Sequence, residues 1–90
     1  MNQVHLDGRR MGTRLALHEQ LKDVLQLPEY YGKNLDALWD CLFCELEMPL
    51  TVYVSHFSDA QHALGEYAER LLQTFQDAAR ELDGFHLIVD

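Results

Sequence analysis

The sequence predicts an α/β domain in which a three-stranded parallel sheet packs against four helices. Two observations carry this. Short segments with strand character stand at residues 3–6, 50–54 and 85–89, and both stretches between them hold apolar residues at helical period. Strands separated by helices pair in parallel through right-handed crossovers, and 90 residues leave room for one such domain, spanning 1–90.

Each element has its own signal. Residues 3–6 alternate polar and apolar before the turn signal Asp7-Gly8, with Val4 and Leu6 facing inward. Thr13 is placed to cap a helix whose Leu17, Leu21, Val24 and Leu25 share one face, and Pro28 bars its continuation. Asn34 is a good cap for a second helix with Leu35, Leu38, Trp39 and Leu42 in one core stripe. Pro49 precedes Leu50-Thr-Val-Tyr-Val54, the strongest strand signal and the expected central strand. Ser55 is the expected cap of a short helix ending near Gly65. Residues 66–82 form a long amphipathic helix stopped by Gly84, and residues 85–89 read as a buried closing strand.

Hydrophobic residues make up 48% and charged residues 24%, too apolar for a disordered chain. Seven Lys and Arg against fifteen Asp and Glu leave a net charge of −8, which repels phosphate backbones and anionic lipid and favours a strongly basic protein partner; plain solubility is the bland alternative. No apolar core follows the N-terminal residues, and nowhere do eighteen apolar residues run together, so the expectation is a cytoplasmic protein that binds neither nucleic acid nor membrane. Cys41 and Cys44 are too few and too close for a disulfide framework.

The informative cluster lies at residues 29–47. Glu29, Asp36, Asp40, Glu45 and Glu47 face only Lys33 there. Asp36 and Asp40 are one helical turn apart, where like charges cost a few tenths of a kcal/mol, and they flank the apolar stripe. Beside them Tyr30 and Tyr31 sit in a loop that Gly32 allows to turn sharply. Aromatics beside charges suggest a protein-binding face. The competing reading is that both tyrosines are half-buried core and the acids a solvated surface. Asp77 and Glu81 on the last helix would extend the acidic surface if the fold set that helix beside the second.

Other chemistries fit less well. Paired carboxylates for acid-base catalysis need a cleft that so short a chain hardly provides. Cys41-Leu-Phe-Cys44 has redox spacing, but it falls late in its helix, where the dipole disfavours a thiolate. Zinc would need two more ligands, and His5, His18, His56, His62 and His86 are scattered, with no role assigned.

The stretch LQLPEYYGKNLDALWDCL at residues 25–42 resembles the signature segment of the barstar family, intracellular inhibitors of barnase-type secreted ribonucleases. A weaker likeness runs over the whole chain. It implies a barstar-like fold and a non-enzymatic ribonuclease inhibitor that inserts loop and second helix into a cationic active site, its carboxylates standing where RNA phosphates would lie. The partner-binding residues it implies are Tyr30, Gly32, Asn34, Leu35, Asp36, Trp39, Asp40, Phe43, Leu46 and Asp77, with no catalytic residue, metal or cofactor. Asp40 is the expected central anchor; the large cost expected of Asp40→Ala is inherited from barstar, one of whose aspartates is a known extreme hot spot.

Departures bear on specificity. A glutamate the family uses on its last helix is matched by the shorter Asp77, and a tryptophan after the second helix by Glu45. Cys44 stands where barstar has glycine. Met48-Pro49 matches a bond that is cis in barstar, so a cis bond is predicted. The expected partner is a basic extracellular-type ribonuclease bound by a monomeric inhibitor; the alternative is an acidic binding module for a different cationic protein.

Overall fold

The computed structural model describes residues 2–90. Its order is β1 (Asn2–Asp7), a 3-10 turn (Gly8–Arg10), α1 (Arg14–Leu25), α2 (Leu35–Cys44), β2 (Leu50–Ser55), α3 (Phe57–Leu64), α4 (Glu66–Glu81) and β3 (Phe85–Val89). The strands form a parallel sheet, β1-β2-β3, with β2 central. Three-stranded parallel sheet and four helices are thus as the periodicity predicts.

Strand register sorts the residues into two faces. Val4, Val52 and Leu87 lie side by side, as do Leu6, Val54 and Val89, and this face carries the core. Gln3, Thr51 and His86, then His5, Tyr53 and Ile88, line the opposite face, where the His5 and Tyr53 rings stack at 4.8 Å. α1 packs on β1, α4 on β3, and α2 and α3 both pack against α4. Leu17 and Leu21 from α1, Leu38 and Leu42 from α2, and Leu71 and Phe75 from α4 close the interior.

The caps of α1 and α2 follow the sequence. Thr13 Oγ1 accepts from the Ala16 amide at 3.0 Å, and Asn34 Oδ1 accepts from the Ala37 amide at 2.7 Å, each filling an orphan donor of a first turn. The Met48-Pro49 bond is cis. Gln20 of α1 is buried and clasps the end of β1, accepting from the Asp7 amide at 2.7 Å and donating to the Asp7 carbonyl at 3.1 Å.

Three local expectations are corrected. Ser55 does not cap α3: it ends β2 and its hydroxyl donates to the Leu6 carbonyl, while His56, in the left-handed region at φ 54°, leads into the helix with no side-chain cap. The closing strand is only partly buried: Phe85 is 2% exposed, whereas Ile88, on the face opposite the core, and Val89, at the strand's end, remain 47% and 39% exposed. Trp39 leaves the core stripe half-buried and packs on Phe43, ring centres 4.4 Å apart. The turn between α3 and α4 is taken by Gly65 at φ 56°, ψ −125°, a conformation for which glycine has no steric penalty.

Candidate partner-binding site

The loop before α2 begins where α1 ends. Gln26 takes a left-handed conformation at φ 54°, and both its amide and that of Leu27 bond back to the Lys22 carbonyl, closing the helix. A turn follows in which the Tyr31 amide donates to Pro28 O at 2.9 Å. That turn separates the two tyrosines that the sequence treated alike. Tyr31 is buried, and Tyr30 stands 74% exposed. Neither reading of the pair was right for both.

Tyr30 is tied to the far end of α2, because its hydroxyl donates to the carboxylate of Glu45, the C-cap residue. That bond, with burial second, raises the phenol above its ordinary pKa. Tyr30 therefore lies along α2, bridging the loop at its start to the cap at its end. Glu45 holds this aromatic in place, a role its sequence position did not disclose.

Gly32 does not make the sharp turn. Its φ is not positive; the left-handed residue is Lys33, at φ 55°. A Cβ at Gly32 would lie 3.3 Å from the Ala37 Cβ, so the position is tight against the first turn of α2. The Lys33 ammonium turns back to Glu19 on α1, 3.8 Å away, and Glu29 pairs with Lys22 at 3.2 Å. These two pairs draw loop charge towards α1.

The carboxylates of α2 are left uncompensated. Asp36 and Asp40 are exposed, and among the described residues neither forms an ion pair. Asp36 in the first turn is favoured by the helix dipole, whereas Asp40, farther along, gains little from it. Exposed Phe43 and half-buried Trp39 add an aromatic pair to the helix. Two members of the predicted set serve the helix itself: Leu35 is buried at 9% exposure, and exposed Asn34 spends its carboxamide oxygen on the cap. Leu46 packs half-buried against the core.

Asp77 lies on α4, the helix packed against α2, and its carboxylate already accepts from Gln73 and pairs with Arg80. It differs in this from Asp36 and Asp40. A surface hollow of about 950 Å³ along β3 and α4 includes none of the predicted site residues. Among the described residues no group of three His, Cys, Asp or Glu could hold a metal, and no helix is long and apolar enough to cross a membrane. Cys41 is buried and Cys44 exposed; burial pushes the Cys41 thiol up, away from the thiolate that CxxC redox chemistry uses.

This surface can accept charge-assisted hydrogen bonds from a cationic partner through two free carboxylates while offering an aromatic for it to pack on. A family model described as Barstar (barnase inhibitor) matches residues 1–89. The chain belongs to the barstar family. A protein of Bacillus subtilis (strain 168) named "Putative ribonuclease inhibitor YrdF" is 43% identical over 91 residues, with 100% of both chains covered. In this barstar-family chain the residues expected to bind a partner lie in the loop before α2, on α2 and just after it, except Asp77 on α4. What sequence reasoning missed is the support below it. His18, given no role, is buried between the hydroxyls of Tyr31 and Tyr67, 2.7 Å from each. A histidine in the apolar stripe of α1, next to Leu17, was the available signal.

Proposed function

We propose that this barstar-family chain is a non-catalytic ribonuclease inhibitor that plugs the cationic active site of a barnase-like secreted ribonuclease with the loop at 30–34 and the exposed face of α2. The observation that carries the reading is the pair Asp36 and Asp40, one turn apart, exposed and, among the described residues, without cationic partners, in a chain of net charge −8. Carboxylates so placed substitute for RNA phosphates against the Arg, Lys and His of a nuclease cleft. Tyr30, steadied by Glu45, covers the rim, and Trp39, Phe43, Leu46 and Asp77 complete the contact. Family membership and the name of the B. subtilis relative support ribonuclease inhibition in general. The inhibitor acts as a monomer in the cytoplasm, where it protects cellular RNA.

The test is inhibition of a barnase-like ribonuclease by the wild type and by Asp40→Ala at low and raised salt. Wild-type inhibition that weakens with salt, and that falls about 30-fold to several-thousand-fold in Asp40→Ala, supports the reading; this range corresponds to about 2–5 kcal/mol for truncating one partner of a desolvated charge pair. Absence of inhibition at micromolar wild type refutes it and directs the search to a different basic protein.

A further inference from the structure

Beneath the proposed binding loop three buried polar groups form a closed relay. His18 of α1 is 1% exposed; its Nδ1 lies 2.7 Å from the Tyr31 hydroxyl and its Nε2 2.7 Å from the Tyr67 hydroxyl of α4. Tyr31 and Tyr67 are 5% and 8% exposed. Among the described residues neither hydroxyl has another hydrogen-bond partner, and no buried side-chain polar atom is left unpaired. The relay spans α1, the loop and α4, and ends one residue from Tyr30.

The geometry points to His18 as the positioning residue of the partner-binding loop: its neutral imidazole, held between two tyrosine hydroxyls, fixes Tyr31 and through it the stance of Tyr30 and Gly32. This rests on the proposed inhibitor function for its consequence, though not for its geometry. A neutral imidazole suits the site better than an imidazolium: one ring nitrogen donates to a tyrosine oxygen and the other accepts from a tyrosine O–H, so one of the two hydroxyl protons has an acceptor. In an imidazolium both nitrogens would donate, and among the described residues neither buried hydroxyl would have an acceptor for its proton.

The surrounding charges agree. From α4 and α1, the guanidiniums of Arg70 and Arg14 lie 5.8 and 4.3 Å from the Tyr67 ring centre, α2 contributes the buried Cys41 thiol as a further titratable group acting on Tyr31, and among the described residues no carboxylate bonds the ring. Burial likewise holds His18 below its ordinary pKa. The loop is therefore closed over a neutral ring, and opening lets the ring take a proton. With an ordinary value of about 6.5 in the open state, lowering the pH from 7.5 to 5.0 raises the opening constant by at most about 30-fold, the limit in which the closed ring takes up no proton.

Hydrogen exchange in the free protein reads this directly at the Tyr31 amide, with the Val52 amide of β2 as the measure of global unfolding. After correction for intrinsic rates, Tyr31 is expected to open more readily than Val52, with a rise of more than threefold, up to that limit, in wild type and less than threefold in His18→Gln, which keeps a donor and an acceptor but does not titrate. Exchange of Tyr31 only as slow as Val52, or an equal rise in both proteins, overturns the assignment. Inhibition at pH 7.5 supplies the second readout: His18→Leu is expected to bind the ribonuclease at least tenfold more weakly, and His18→Gln to restore it to within about threefold. A His18→Leu protein that inhibits as well as wild type overturns the positioning role; if it does not fold by circular dichroism, Tyr67→Phe replaces it with the same criterion. If wild type inhibits no ribonuclease, the proposed function fails, and the exchange comparison alone decides the relay.

Discussion

Alanine at Leu38 and at Asp40, two residues apart on α2, separates what holds the protein together from what it presents. At 3.6 residues per turn the two side chains project about 200° apart. Leu38 is fully buried in the core, so Leu38→Ala removes apolar contact and leaves a cavity, at a cost of about 3–4 kcal/mol within the known range for such sites. For a chain this short, 1 kcal/mol shifts the melting temperature by about 4–8 °C, so a fall of about 12–30 °C is expected. Asp40 is exposed and makes no ion pair among the described residues. Its removal also relieves repulsion from Asp36, so Asp40→Ala should leave stability within about 0.5 kcal/mol of wild type, on the favourable side. Urea denaturation followed by circular dichroism, with ribonuclease inhibition under folded conditions, measures both quantities. Leu38→Ala should inhibit within a few-fold of wild type where it is folded. Loss of more than 1 kcal/mol in Asp40→Ala, or of less than 1 kcal/mol in Leu38→Ala, would refute the division of α2 into core and face.

Three further outcomes are expected. Gly8→Ala should destabilise by about 3 kcal/mol, because its Cβ would stand 2.0 Å from the His56 carbonyl oxygen and 2.7 Å from its carbon, both main chain that cannot swing away; an unchanged urea midpoint would contradict that packing. In native protein a thiol reagent should modify Cys44 rapidly and Cys41 only on unfolding, and two equally fast thiols would contradict the burial of Cys41. Because burial lowers the affinity of folded His18 for a proton, the unfolded chain binds more protons as pH falls below about 6.5. Wild type should then lose up to about 1.4 kcal/mol per pH unit relative to His18→Gln, and parallel stability curves would exclude a neutral buried ring.

Much of the site was legible because charge and capping are local. Asp36 and Asp40 had to share a face once Asn34 began a helix, and the one cation near them in sequence, Lys33, turns away to Glu19. Tyr30 and Tyr31 were not separable in this way, since adjacent residues in an irregular turn can point either way until the Tyr31 amide closes on Pro28 and its hydroxyl finds His18. The turn residue was misplaced for a similar reason: glycine permits a left-handed conformation without requiring one, and the loop used Lys33 at φ 55°. The end of β3 was read as buried because an apolar run shows what could be covered, and not whether a layer exists to cover it.

By itself the sequence determined the strands, the helices, the caps of α1 and α2 and the acidic loop-helix segment, all of which follow from side-chain periodicity and hydrogen bonds spanning a few residues. The tertiary structure decided which tyrosine faces the partner, that α4 packs beside α2, that Glu45 steadies Tyr30 and that His18 joins α1, the loop and α4. These are contacts between groups 13 to 49 residues apart. They form only when packing has brought their elements together, so no local pattern encodes them.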